Sequence, residues 1–159
     1  MLASPACPVA ERADGPHPGT CRKSSRPHQG VVRALETAWI HKTWGGPEQL
    51  AASGRGWGAF HRGRALSLAC TYFLGSGYED VAALADPGHR RQHLALACVT
   101  ALCEDIAARG RTPSWTCSRD NRPSRLLAWS AGFRLTREYV HHATGPARRQ
   151  ILRRQAEAA

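Results

Sequence analysis

Between residues 30 and 144 the apolar positions follow recognisable periods, and the period changes from segment to segment. Val31, Val32, Leu35, Ala38 and Trp39 recur at helical spacing, and Gly45-Gly46 ends that run. Pro47-Glu48-Gln49-Leu50 predicts a short second helix closed by Gly54. Gly56 to His61 and Ala65 to Leu74 read as strands joined by a tight turn at Arg62-Gly63-Arg64. After a second turn at Gly75-Ser76-Gly77, Tyr78 to Ala85 predicts a third strand, rich enough in Val, Ala and Leu to lie inside a sheet. Asp86-Pro87-Gly88 ends it.

A long amphipathic helix is expected from about Arg91 to Arg109. Leu94, Cys98, Leu102 and Ile106 form its i+4 row, and Gly110 stops it. Pro113 to Ser118 predicts a strand, Pro123 to Ser130 a helix, and Phe133 to His142 a last strand after the break at Gly132. The strand–helix–strand unit around the long helix should be parallel. Ligands favour the carboxyl ends of such strands and the start of the connecting helix, which here lies beside His89 to Ala95.

The flanks differ. Residues 1–29 mix Pro, Gly, Ser, Arg and His without periodicity and read as a disordered leader. Residues 145–159 form a basic tail, helical or frayed, in which Pro146 is placed to start a helix. That leaves residues 30–144 as one folded domain.

Charge adds little. The net charge of +10 is almost all arginine, since Lys23 and Lys42 are the only lysines, and the arginines are spread along the chain. A basic balance suits an anionic ligand or a nucleic acid. A small basic nucleic-acid-binding protein would need exposed aromatics on a basic face, whereas the aromatics here fall at core-like positions, so nucleic acid is the disfavoured partner. No run approaches the ~20 apolar residues that span a bilayer. The N-terminal residues Pro5, Pro8, Glu11 and Asp14 do not suit a secretory signal, so a cytoplasmic location is expected. The six cysteines include no Cys-x-x-Cys pair, so buried free thiols are expected and no metal site.

Four pieces, in order, resemble one family. They are Trp44-Gly45-Gly46-Pro47-Glu48 with Gly54-Arg55-Gly56-Trp57-Gly58; Glu79-Asp80-Val81 with Asp86 to Ala95; Pro113 to Cys117 with Asn121 and Ser124; and Ala131-Gly132-Phe133. Together, over Trp44 to His142, they resemble the GNAT superfamily of N-acetyltransferases, and within it the branch similar to zwittermicin-resistance acetyltransferases. The resemblance implies an α+β sandwich. Its central sheet would be mixed and mostly antiparallel, with one splayed parallel strand pair and helices on both faces.

The resemblance also implies a function: transfer of an acetyl group from acetyl-CoA to a primary amine, by direct attack in a ternary complex and without a metal. Carried over residue by residue, it places acetyl-CoA against Ala83, Leu84, Ala85, Arg90, Arg91, Gln92, His93, Leu94, Ala95, Asn121 and Ser124. In the family pattern Gln/Arg-x-x-Gly-x-Gly/Ala, Arg90 and Ala95 match while His93 stands in place of glycine. Glu79 falls at the general-base position, although a solvated charge at a strand's start is an equally good reading. Asp80 would face the other way unless a bulge exchanged the two. Ala128 stands where many members carry a tyrosine that protonates the thiolate, which leaves Ser124 as a substitute contact, or helix capping for both Ser124 and Asn121. The family's opening strand has no counterpart before Val31, so an N-terminally shortened chain, or one completed by a partner, is expected; a homodimer is compatible. The alternative function is a GNAT-like domain that binds acyl-CoA or a partner without turnover.

Overall fold

A computed structural model describes residues 2–3, 21–23, 39–62, 64–89 and 93–140. In chain order the elements are β1 (Leu2–Ala3), β2 (Cys21–Lys23), α1 (Pro47–Ser53), β3 (Gly56–His61), β4 (Arg64–Leu74), β5 (Tyr78–Ala85), α2 (Leu94–Ala108), β6 (Thr112–Trp115), α3 (Arg122–Ser130) and β7 (Arg134–Leu135). Single 3₁₀ turns at Lys42–Trp44 and Pro87–His89 precede α1 and α2. The strands form one seven-stranded sheet in the order β2-β3-β4-β5-β6-β1-β7. Its pairs are antiparallel except β5 with β6, the pair that α2 connects. This is the expected mixed α+β architecture.

The meander β3–β4–β5 is the rigid centre. β4 is apolar on both sides because both its faces are covered, and Ala65 to Thr71 is a continuous buried run. On one face α2 lays down Leu94, Cys98, Val99, Leu102, Cys103 and Ile106 against Ala59, Leu66, Ala69 and Val81, with Trp115 and Phe133 closing the cluster. On the other face Ile40 and Leu50 cover Ala65, Leu68, Cys70 and Ala82. Helices therefore lie on both faces. Cys98 and Cys103 are both buried, and burial pushes the Cys70 thiol up to about 12.

The register of β4 with β5 shifts between Thr71 and Phe73, so Tyr72 is an extra residue there. The Thr71 carbonyl accepts from Trp44 Nε1 at 2.6 Å, which pins the turn before α1 to the sheet.

Several boundaries differ from the sequence reading. The helix expected from Arg91 begins at Leu94, and the strand expected to Ser118 ends at Trp115. The last strand, expected over Phe133 to His142, is only Arg134–Leu135; residues 136–140 are irregular, and 141–142 lie outside the described residues. Its partner β1 has two residues, and a strand extends only as far as its neighbour offers hydrogen bonds. β1 and β2 fall in the segment read as a disordered leader, and for those residues that reading is corrected: they pair with β6, β7 and β3. Strands of two and three residues are too short to show a period of two. The helix expected from Val31 (apart from Trp39, which lies in a turn), the rest of the leader and the basic tail lie outside the described residues. No helix among the described residues is long and apolar enough to cross a membrane.

Leu102 is fully buried beneath α2, whereas Glu104 points to solvent. Leu102→Ala should lower the unfolding free energy by about 3 kcal/mol through cavity formation, and Glu104→Ala by under about 0.5 kcal/mol. Urea denaturation of the two variants checks this orientation of α2.

Candidate active site

β5 and β6 run parallel for three rungs only: Tyr78↔Thr112, Glu79↔Pro113 and Asp80↔Ser114. β5 then continues to Ala85 without β6. The Asp86 N–H turns toward β4 and donates to the Leu66 carbonyl at 2.8 Å. By alternation, the backbone groups of Val81, Ala83 and Ala85 face the side that β6 has left. Ala83, Leu84 and Ala85 are half-buried, so the splay is lined yet accessible.

The splay opens toward the start of α2. Asp86 organises the turn there: its Oδ1 accepts from Gly88 N–H at 2.8 Å and lies 3.2 Å from His89 Nδ1, while Oδ2 accepts from Arg64 Nη2 at 2.5 Å. The His89 contact, foremost, holds its carboxyl below the usual range, against the opposing effect of burial. Arg90, Arg91 and Gln92 lie outside the described residues. His93 precedes α2 in the left-handed conformation, φ 55° and ψ 10°, and its side chain caps nothing. The position where the family carries glycine is thus one that requires positive φ, and histidine adopts it at a cost of roughly 1 kcal/mol. The first α2 backbone bond is Ala97 N–H to the His93 carbonyl, so the N–H groups of Leu94, Ala95 and Leu96 point out of the helix end, where anions bind.

Asn121 and Ser124 stand at the start of α3, below the end of β6. Asn121 Oδ1 accepts from the Ser124 N–H at 3.2 Å, a helix cap. Ser124 Oγ accepts from Trp115 Nε1 at 3.1 Å, which leaves the hydroxyl proton free to be donated elsewhere. Ala128 is fully buried in the α2-side core.

Glu79 is also fully buried, on the α2 side of β5. Arg55 Nη1 donates to its Oε1 at 2.6 Å, Arg109 Nε to Oε1 at 3.1 Å, Arg109 Nη2 to Oε2 at 2.9 Å, and Thr71 Oγ1 to Oε2 at 2.5 Å. Burial alone would raise its pKa, but the hydrogen bonds from Arg109, Thr71 and Arg55 together hold it below the usual range. A carboxylate so satisfied is a poor proton acceptor, and the geometry makes it an anchor. Sequence reasoning missed these partners because Arg55 and Arg109 are 24 and 30 residues away.

Asp80 faces the opposite side. It accepts from Ser114 Oγ at 3.3 Å and Thr116 Oγ1 at 3.2 Å. Burial raises its pKa, and the hydroxyls of Thr116 and Ser114, with the positive charge of the chain's N-terminus, pull it back only in part.

A mixed sheet whose parallel pair splays beside a helix start defines a class, and the comparisons agree with it. The family model for GNAT acetyltransferases matches residues 28–142, and the chain belongs to that family. A relative from Streptomyces virginiae, an uncharacterized N-acetyltransferase in the mutA 5' region, is 60% identical over 77 residues, which is 48% of this chain and 32% of its own length. The GNAT-family acetyltransferase from Colwellia psychrerythraea superposes with a TM-score of 0.59 at 17% identity, over 84% of this chain and 50% of that one. The aminoglycoside acetyltransferase AAC(6')-Iy, in complex with a bisubstrate analogue, gives 0.58 at 17% identity, over 80% of this chain and 98% of that one. At such identities the structural likeness establishes the fold alone. The chain spans about a third of the Streptomyces relative and half of the Colwellia protein.

Two predictions follow from the site geometry. Because the folded pKa of Glu79 is depressed, its contribution to stability is present above the pKa of an unfolded glutamate and is lost as pH falls through the folded value. Glu79→Gln should cost about 2–3 kcal/mol near neutrality and flatten the acid side of the stability curve, as read by urea melts across pH. At His93, glycine should leave stability within about 1 kcal/mol of the parent, whereas the β-branched His93→Val should lower it by about 1–2 kcal/mol. The order Gly ≥ His > Val in thermal melts is the check.

Proposed function

We propose that the chain catalyses transfer of an acetyl group from acetyl-CoA to a primary amine. The observation that carries this is the early end of the parallel ladder at Asp80↔Ser114, beside a helix start with outward N–H groups. An extended amide-bearing arm fits the freed edge of β5 as an added strand would, through the backbone of Ala83 and Ala85 beside Leu84. The N–H groups of Leu94 and Ala95, with the backbone of His93, suit a pyrophosphate, and Arg90, Arg91 and Gln92 are proposed to add charge and hydrogen bonds.

Direct transfer asks the protein to position two reactants, accept a proton from the amine and return one to the departing thiolate. Ser124 is proposed for the last task, since its hydroxyl accepts from Trp115 and keeps its own proton to donate. Asn121 is proposed to orient the arm from the same loop. AAC(6')-Iy has been crystallised with CoA and with CoA-S-monomethyl-acetylneamine. Cationic amines of that kind are the acceptor class to try first.

The sealed environment of Glu79 and the buried Ala128 favour a second reading, an acyl-CoA-binding domain without turnover. Titration calorimetry with acetyl-CoA, then thiol release across a panel containing neamine, sisomicin and simple diamines, separates the two. Saturable binding with amine-dependent thiol release is the expected result. Binding without release selects the second reading, and absence of binding rejects both.

A further inference from the structure

Glu79 and Asp80 are consecutive carboxylates that the strand sends to opposite faces, with opposite surroundings. Glu79 is enclosed by the guanidinium groups of Arg55, Arg109 and, at 3.9 Å, Arg111, with the Thr71 hydroxyl, and has no exposed surface. Asp80 is only partly buried; it accepts from the neutral hydroxyls of Ser114 and Thr116, and the positive charge of the chain's N-terminus also acts on it. Among the described residues no arginine or lysine pairs with it. The residues registered beside it, Phe73 on β4 and Ser114 on β6, are uncharged. Its position is also particular: Asp80↔Ser114 is the last rung before the two strands part.

Resting on the acetyl-transfer reading, we propose that Asp80, and not Glu79, takes the proton from the acceptor amine, with Ser114 and Thr116 fixing its carboxylate. The ammonium gives one proton to Asp80, which passes it to water. The freed nitrogen lone pair attacks the thioester carbon, the C–N bond forms and the C–S bond breaks. The thiolate leaves and takes the second nitrogen proton, directly or through Ser124. The products are the amide, the free thiol and one proton. Two neighbouring carboxylates whose surroundings push their ionisation in opposite directions divide the labour: the raised one exchanges protons, and the lowered one stays charged.

The test compares full-length Asp80→Asn and Glu79→Gln with the parent, using whichever amine of the panel gives the fastest thiol release. Asp80→Asn should lower kcat/KM by roughly 100-fold or more, leave acetyl-CoA affinity within about twofold, and remove the acid limb of the kcat/KM–pH profile. Asp80→Glu should restore part of the rate. Glu79→Gln should lose stability yet keep the acid limb. A second readout needs no variant: the Asp80 carboxyl carbon, followed by NMR, should titrate above the ~4 of a free aspartate. Asp80→Asn within about threefold of the parent rate, an acid limb that follows Glu79, or titration of Asp80 at or below the ordinary value overturns the proposal while acetyl transfer stands. A parent that binds acetyl-CoA and releases no thiol overturns both.

Discussion

The fully buried carboxylate of Glu79 sets the terms for the rest of this fold. A charge taken out of water costs several kcal/mol unless it is paired and hydrogen-bonded on every side. Here the pairing comes from Arg55 at the start of β3, Thr71 on β4 and Arg109 just past α2. Asp105 extends the network by bonding Arg109 at 2.7 Å and Trp57 Nε1 at 3.4 Å. Three strands and the end of the long helix are thereby fixed at one end of β5, where the parallel rungs are formed. Among the described residues the opposite end of β5 carries no such tie toward β6, and there the strands part.

That asymmetry explains why the candidate site has an open end and a closed end. The helix that connects a parallel pair must start where the first strand finishes, so the splay and the outward N–H groups of α2 meet without further design. Asp86 holds the intervening turn through Gly88, His89 and Arg64, and His93 makes the last step into the helix at positive φ. Histidine tolerates that conformation better than a β-branched residue does. The glycine of the family pattern is therefore replaced by a residue with a side chain at a position whose backbone, in this chain, is one that glycine favours.

Much of this was legible in the sequence, for local reasons. The i+4 row of α2, the turn glycines and Pro123 act within a few residues, and they located the meander, the crossover helix and α3. The splay was anticipated by resemblance, not by periodicity. What was not legible depends on distant partners. The state of Glu79 is decided by arginines 24 and 30 residues away, and the lengths of β1 and β7 by each other. The backbone angle of His93 has no signature in composition.

The contrast between Glu79 and Asp80 also shows how two adjacent carboxylates can misdirect a reader of sequence. Strand alternation alone assigns them to opposite faces but cannot say which face carries chemistry. Packing decides it. The α2 face closes over its carboxylate, because α2 packs buried Leu, Val and Ile on that face, and a carboxylate buried there demands cations. The other face, at the last rung of the ladder, is covered by uncharged side chains and remains partly open, so its carboxylate keeps the freedom to change protonation. A proton acceptor needs that freedom, and a structural ion pair is stable only without it. The same packing that ties Glu79 into the fold thus satisfies its carboxylate with cations, while Asp80 is the neighbouring carboxylate on this strand whose hydrogen-bonding side chains are uncharged.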